Sequence, residues 1–190
     1  MMPPYLTLHT QIASDMKEHL VTLYMLTVEL NLKRVLELGT RTGFSTLALL
    51  YAVDQTDGSV TSIDIDSCPG AFDNIATAGF KTNRWTFIKQ DDLTVDWKDP
   101  IDHLFIDTVH TYDHTLKELQ KYEPYVVNGG IITLHDINST LHEIKSNGEY
   151  TGAKGAIDYY MINREDLHYY EYQNCYGLGV IFKRSKSIHS

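Results

Sequence analysis

With 190 residues and 43% hydrophobic content, the chain is long enough to bury one substantial core and too short for two ordinary domains. Its 16 Lys and Arg stand against 25 Asp and Glu, a net charge of −9, and the basic residues form no extended run, which argues against a nucleic-acid partner. No apolar run reaches bilayer length, the opening Met1-Met-Pro-Pro-Tyr-Leu has no signal-peptide character, and Cys68 and Cys175 lack metal-knuckle spacing, so a soluble cytoplasmic protein with free thiols and no membrane partner is expected.

From about His9 to Leu32, Ile12, Met16, Leu20, Leu23, Leu26, Val28 and Leu30 recur at helical spacing. This predicts N-terminal helices within 1–32, broken once near Thr22, covering one face of a sheet and offering a surface for a homo-oligomer. Residues 33–184 read as the core of the same single domain. Its first stretch, Arg34-Val-Leu-Glu-Leu-Gly-Thr-Arg-Thr-Gly-Phe-Ser45, reads as a buried strand, a glycine turn and the start of an amphipathic helix. Gly39 and Gly43 let the backbone turn and let a ligand approach where a Cβ would collide, and the helix start at Ser45 aims its N–H groups at that ligand. The dinucleotide fingerprint places glycine first, third and sixth, whereas Gly39, Arg41 and Phe44 stand there, so a pyrophosphate loop is not encoded. Glu37 instead sets a carboxylate near the ligand, which suits a cation. An acid followed by Gly-x-x-x-Gly at the end of the first strand resembles the class I S-adenosylmethionine-dependent methyltransferases.

Ser59 to Asp66 reads as the second strand, and a carboxylate at its tip can accept both hydroxyls of a ribose. Asp64 stands where the resembled family places that residue. Asp66 or Ser67 is expected to cap a helix from Pro69 to about Ala78. Arg84 to Gln90 is a third strand, and the resemblance implies that Gln90 and Asp91 meet the adenine amino group. The fourth strand, Ile101 to Asp107, opens the segment Asp102-His-Leu-Phe-Ile-Asp-Thr-Val-His-Thr-Tyr112, and Asn128-Gly-Gly-Ile-Ile-Thr-Leu-His-Asp136 follows a helix over Thr115–Tyr122. In the latter, Asn128-Gly-Gly130 reads as a turn that launches a fifth strand, Ile131–His135. Together these segments are similar to the methyltransferase group with Ile-Asp-x-x-His-x-Tyr and Gly-Gly-Ile-x-x-x-His-Asp segments, related to catechol-type and sugar O-methyltransferases. A polar stretch comes next, then a helix over Gly155–Ile162, and finally two strands of a hairpin, Leu167–Gln173 and Tyr176–Lys183.

Alternating strands and helices predict an α/β, doubly wound, Rossmann-like fold: a seven-stranded, mainly parallel sheet with a C-terminal antiparallel hairpin and helices on both faces. Ligands bind such sheets beyond the carboxyl ends of the strands, where Glu37, Asp64, Asp91, Asp107 and Asp136 all fall. The resemblance implies S-adenosylmethionine as cofactor, contacting Glu37, Gly39, Thr40, Gly43, Ser45 and Asp64, with Asp107 also available to its amino group. Asp107 and Asp136, on adjacent strands about 4.8 Å apart, can converge on a divalent metal (Mg, Mn, Fe or Zn), with His135 as a third ligand; the metal can equally be absent. His110, three residues past Asp107, has the unperturbed pKa of about 6.5 that suits a general base, with Asp107 to orient it as a second catalytic residue. The expected function is O-methylation of a small hydroxylated acceptor. The alternatives are an NAD-dependent oxidoreductase or a cofactor-binding homologue without methyl transfer.

Overall fold

The computed structural model describes residues 16–80, 82–138 and 152–184. Along them run α1 (His19–Glu29), β1 (Arg34–Leu38), α2 (Phe44–Thr56), β2 (Ser59–Asp64), α3 (Pro69–Thr77), β3 (Trp85–Lys89), β4 (Ile101–Ile106), α4 (Tyr112–Tyr122), β5 (Val126–His135), α5 (Ala153–Tyr160), β6 (Leu167–Tyr172) and β7 (Leu178–Lys183). Short apolar strand segments separated by helices can bury both sheet faces only by winding back in parallel. The seven strands accordingly lie in the order β3-β2-β1-β4-β5-β7-β6. β1 to β5 are parallel, and β7 inserts antiparallel between β5 and β6. The chain reverses its winding direction between β1 and β4, the place where such sheets open a ligand crevice.

α1 buries Leu20, Leu23, Tyr24 and Thr27, a stripe at helical spacing, and packs on α2. It runs unbroken through Thr22, contrary to the expected break, because one threonine lowers helix propensity without removing a hydrogen bond. The expected helical run before residue 16 lies outside the described residues, as does the polar stretch after Asp136 over 139–151. On the opposite face α4 and α5 pack together, with Leu119, Tyr122 and Ile157 buried in one apolar cluster.

Between the layers His103 is fully buried. Thr27 Oγ1 gives its proton to the Leu23 carbonyl at 2.8 Å, so it accepts from His103 Nδ1 at 2.9 Å, and His103 Nε2 accepts from Thr133 Oγ1 at 2.8 Å. Burial pushes the His103 pKa down to about 3. The ring is a neutral strut between α1, β4 and β5.

Two local expectations change. Asn128-Gly-Gly130 is not a turn before β5 but part of it: the pairing jumps from Ile101↔Val126 to His103↔Ile131, a bulge in which Gly129 takes φ +85°. α3 is preceded by Cys68 at φ 46°, with no side-chain cap, while the Asp66 N–H bonds back to Asp64 Oδ1 at 2.8 Å. Both cysteines are free, and among the described residues no helix is long and apolar enough to cross a membrane.

Candidate active site

The turn from β1 to α2 is built on two glycines in left-handed conformation, Gly39 at φ +88° and Gly43 at φ +78°. A Cβ on Gly39 would lie 2.1 Å from the Asp107 carbonyl oxygen, and one on Gly43 would lie 2.7 Å from the Ala71 Cβ. Both glycines are thus imposed by the close approach of protein rather than by a ligand.

Glu37, expected beside the ligand, is instead completely buried beneath the turn. Its carboxylate accepts from Ser45 Oγ at 2.7 Å, Thr46 Oγ1 at 2.7 Å and Ser62 Oγ at 2.5 Å. Burial raises its pKa to about 7 against the pull of those three hydroxyls. The Ser45 side chain, also expected at the ligand, is committed to Glu37. Both hold the turn in place from behind.

In front of the turn a cavity of about 310 Å3 opens at the tips of β1, β2 and β4, walled by Gly39, Thr40, Asp64, Asp91, Asp107 and His114 among others. Its volume suits a small-molecule site. Asp64 Oδ2 accepts from the backbone N–H groups of Thr40 at 2.7 Å and Arg41 at 3.1 Å. Burial works to raise the Asp64 pKa, but its backbone hydrogen bonds outweigh burial and hold it below the usual carboxylate value. Thr40 Oγ1 is buried with no hydrogen-bond partner among the described residues, a polar atom at the cavity wall that a ligand can satisfy. Asp91 accepts from the Leu93 N–H at 2.9 Å and remains in the wall. Gln90, expected at the adenine, is exposed outside the cavity, its amide donating to Thr94 Oγ1 at 3.0 Å.

Parallel pairing of Ile106 with Leu134 sets the tips of β4 and β5 side by side. His110 Nε2 lies 3.1 Å from Asp136 Oδ2 and 3.5 Å from Asp107 Oδ1. His110 at φ 57° and Asp136 at φ 59° both hold left-handed backbone, strain of a kind that collects at functional sites. His135 lies behind them, buried, with Nε2 donating to the Cys175 carbonyl at 3.0 Å and Nδ1 3.4 Å from Asp107 Oδ1. Burial opposes its charged form, yet the neighbouring Asp107 and Asp136 carboxylates keep its pKa above the ordinary value. The compact set that could hold a metal is Asp107, His110 and Asp136, with ligand atoms within 4.8 Å of one another. His135 Nδ1 also faces this set, 3.5 Å from Asp136 Oδ1, while its Nε2 is tethered to the Cys175 carbonyl.

The sequence model of the family described as methyltransferase domain matches residues 36–137, more than half of the chain, from β1 to the end of β5. The chain belongs to this methyltransferase family. No curated protein matches it. Among solved structures, the methyltransferase is similar to PaMTH1 of Podospora anserina, solved with S-adenosylhomocysteine, at 13% identity and a TM-score of 0.75, over 97% of this chain and 89% of that one. The O-methyltransferase of Bacillus cereus, also solved with S-adenosylhomocysteine, gives 17% and 0.70, over 94% and 87%. TomG of Streptomyces achromogenes, an O-methyltransferase of tomaymycin synthesis solved with S-adenosylmethionine, gives 16% and 0.69, over 97% and 92%. At these identities the likeness establishes the Rossmann-like fold.

Within the methyltransferase, Gly39, Thr40, Asp64, Asp91 and Asp107 meet at the cavity, and His110 and Asp136 adjoin it through Asp107. Glu37, Gly43 and Ser45 lie behind the wall and Gln90 outside it. Arg41, Asp92 and His114 also line the cavity, although sequence spacing did not single them out. The spacing of His114 and Glu118, one helical turn apart, was the available signal.

Proposed function

We propose that this methyltransferase holds S-adenosylmethionine in the acid-walled cavity and transfers its methyl group to a hydroxyl oxygen of a small acceptor. The observation that carries the reading is the double position of Asp107, which belongs to the cavity wall and also lies 3.5 Å from His110. A donor in the cavity and an acceptor over His110 would then meet in line. The sulfonium and ammonium of the donor are cations, and Asp64, Asp91, Asp92 and Asp107 suit them better than a pyrophosphate, which weighs against the oxidoreductase alternative. Neighbours solved with S-adenosylmethionine or S-adenosylhomocysteine support the same cofactor.

In the transfer the acceptor oxygen bonds to the methyl carbon as the carbon–sulfur bond breaks, and S-adenosylhomocysteine leaves. The acceptor's hydroxyl proton passes to His110. In this reading Nε2–H faces Asp136, 3.1 Å away, Nδ1 takes that proton and the carboxylate stabilises the imidazolium, as in other carboxylate–histidine pairs. Two carboxylates and an imidazole also fit a divalent cation. Asp107, His110 and Asp136 would hold it, and it would acidify a hydroxyl bound to it. The free thiols and acidic charge support a cytoplasmic protein without nucleic-acid partners, and the exposed Met25 and Leu30 support self-association through the N-terminal helices.

The test is calorimetric titration with S-adenosylhomocysteine, followed by transfer of labelled methyl from S-adenosylmethionine to a panel of hydroxylated acceptors, before and after exhaustive chelation. Binding and an O-methylated product are expected. Binding of NADH in place of S-adenosylhomocysteine would overturn the proposal.

A further inference from the structure

We propose that Asp92, His114 and Glu118 form a binding site for a divalent first-row transition-metal ion, separate from the Asp107–His110–Asp136 cluster. Asp92 comes from the short turn after β3, whereas His114 and Glu118 stand one helical turn apart on α4 and share a face. Their ligand atoms lie within 4.8 Å of one another. His114 Nε2 is 3.3 Å from Asp92 Oδ1 and 3.5 Å from Glu118 Oε1. Ligands bound to one ion at about 2.1 Å in tetrahedral array stand roughly 3.4 Å apart, so these separations need little adjustment.

Two oxygens in this cluster point to something missing. Asp92 Oδ2 and Glu118 Oε2 are both buried and have no hydrogen-bond partner among the described residues. Glu118 is 0% exposed, a position at which an uncompensated carboxylate is costly. The nearby donors do not answer the need. Lys121 Nζ and Tyr122 OH both bond to the Asp92 backbone carbonyl, at 2.6 and 2.5 Å, rather than to its carboxylate. Thr108 Oγ1 covers only Glu118 Oε1, at 2.7 Å, the kind of outer hydrogen bond that orients a metal-ligating carboxylate. The single Nε2 facing two carboxylates has at most one proton to give, whereas a dication would engage both acids and the imidazole at once. One nitrogen and two carboxylate ligands favour manganese, iron, cobalt or zinc over magnesium, which prefers an all-oxygen shell. Because Asp92 and His114 also line the cofactor cavity, the ion would fix that wall by joining the β3 turn to α4.

The experiment uses the full chain, dialysed free of metal and titrated with zinc by calorimetry and with cobalt by visible absorption. His114→Asn, Glu118→Gln and the Asp107→Asn/Asp136→Asn pair are compared, each checked for cooperative melting. The expected result is an ion that the Asp107→Asn/Asp136→Asn protein retains and that both His114→Asn and Glu118→Gln bind at least about tenfold more weakly. Zinc should also raise the melting temperature of the Asp107→Asn/Asp136→Asn protein, and not that of the same protein carrying His114→Asn as well. If Glu118→Gln fails to fold, His114→Asn, at a partly exposed position, decides alone. Unaltered affinity in His114→Asn overturns the proposal, and so does failure of the parent protein to bind either metal, in which case a proton on Glu118 satisfies the buried oxygens.

Discussion

Ser45 donates its hydroxyl to Glu37 Oε1 at 2.7 Å, across the turn that joins β1 to α2. The carboxylate that organises this turn is buried behind the cavity wall, and burial raises its pKa from 4.5 to about 7. The folded state therefore binds the Glu37 proton more tightly than the unfolded chain. Its stabilising contribution is complete below about pH 4.5 and is lost as pH rises through about 7. Urea unfolding at a series of pH values should show this decline in the parent protein relative to Glu37→Gln, which has no proton to lose. Parallel pH curves for the two would remove Glu37 as its source. Glu37→Ala, which strands three buried hydroxyls, should cost more than about 3 kcal/mol.

His103 should act in the opposite direction. Its folded pKa lies at about 3, below the ordinary 6.5, so the unfolded chain takes up a proton that the folded ring refuses. The associated stability is complete above about pH 6.5 and drains away as pH falls toward about 3, by at most about 1.4 kcal/mol per pH unit. Replacement by Gln should flatten this part of the acid limb in the same unfolding series. An unchanged limb would mean that the buried ring is protonated.

Asp64→Ala should weaken S-adenosylhomocysteine binding by about 1.5–3 kcal/mol, the loss of charge-assisted hydrogen bonds. Calorimetry measures this directly. The substitution also frees the Thr40 and Arg41 N–H groups, so a lower melting temperature should accompany it. Undiminished affinity would detach Asp64 from the ribose.

His110→Ala should lower the transfer rate by about 10²–10⁴-fold while leaving S-adenosylhomocysteine affinity unchanged, because in the proposed reading the ring serves the acceptor and not the donor. Activity that survives chelation but is lost in this variant assigns the acid–base work to the histidine alone. Single-turnover kinetics with saturating donor separates this step from binding.

The order of elements was legible because β1 to β5 carry short apolar runs separated by helical periods, and because Gly39 and Gly43 mark a turn that few other residues can make. The role of Glu37 was not legible. Its partners Ser45, Thr46 and Ser62 come from two elements, and nothing in their spacing tells a buried carboxylate from one facing a ligand. Asn128-Gly-Gly130 carries the signature of a turn, but β4 continues alongside it and converts the same residues into a bulge. His110 and His135 both precede or follow an acid at a strand tip, and their spacing does not show that His135 is anchored through Nε2 by the Cys175 carbonyl, supplied by the loop between β6 and β7. Asp92 and Glu118 are far apart in sequence, so their meeting depended on the packing of α4 against the β3 turn.

The insertion of β7 between β5 and β6 bears on the order of events during synthesis. Until residues 178–183 have left the ribosome, β5 presents an unpaired edge, and Leu178, the partner of His135, is not yet available to steady the tip that carries Asp136. The parallel half can collapse first, but the β5 edge waits for β7, and the nascent chain meanwhile exposes an open strand edge of the kind that shielding factors bind.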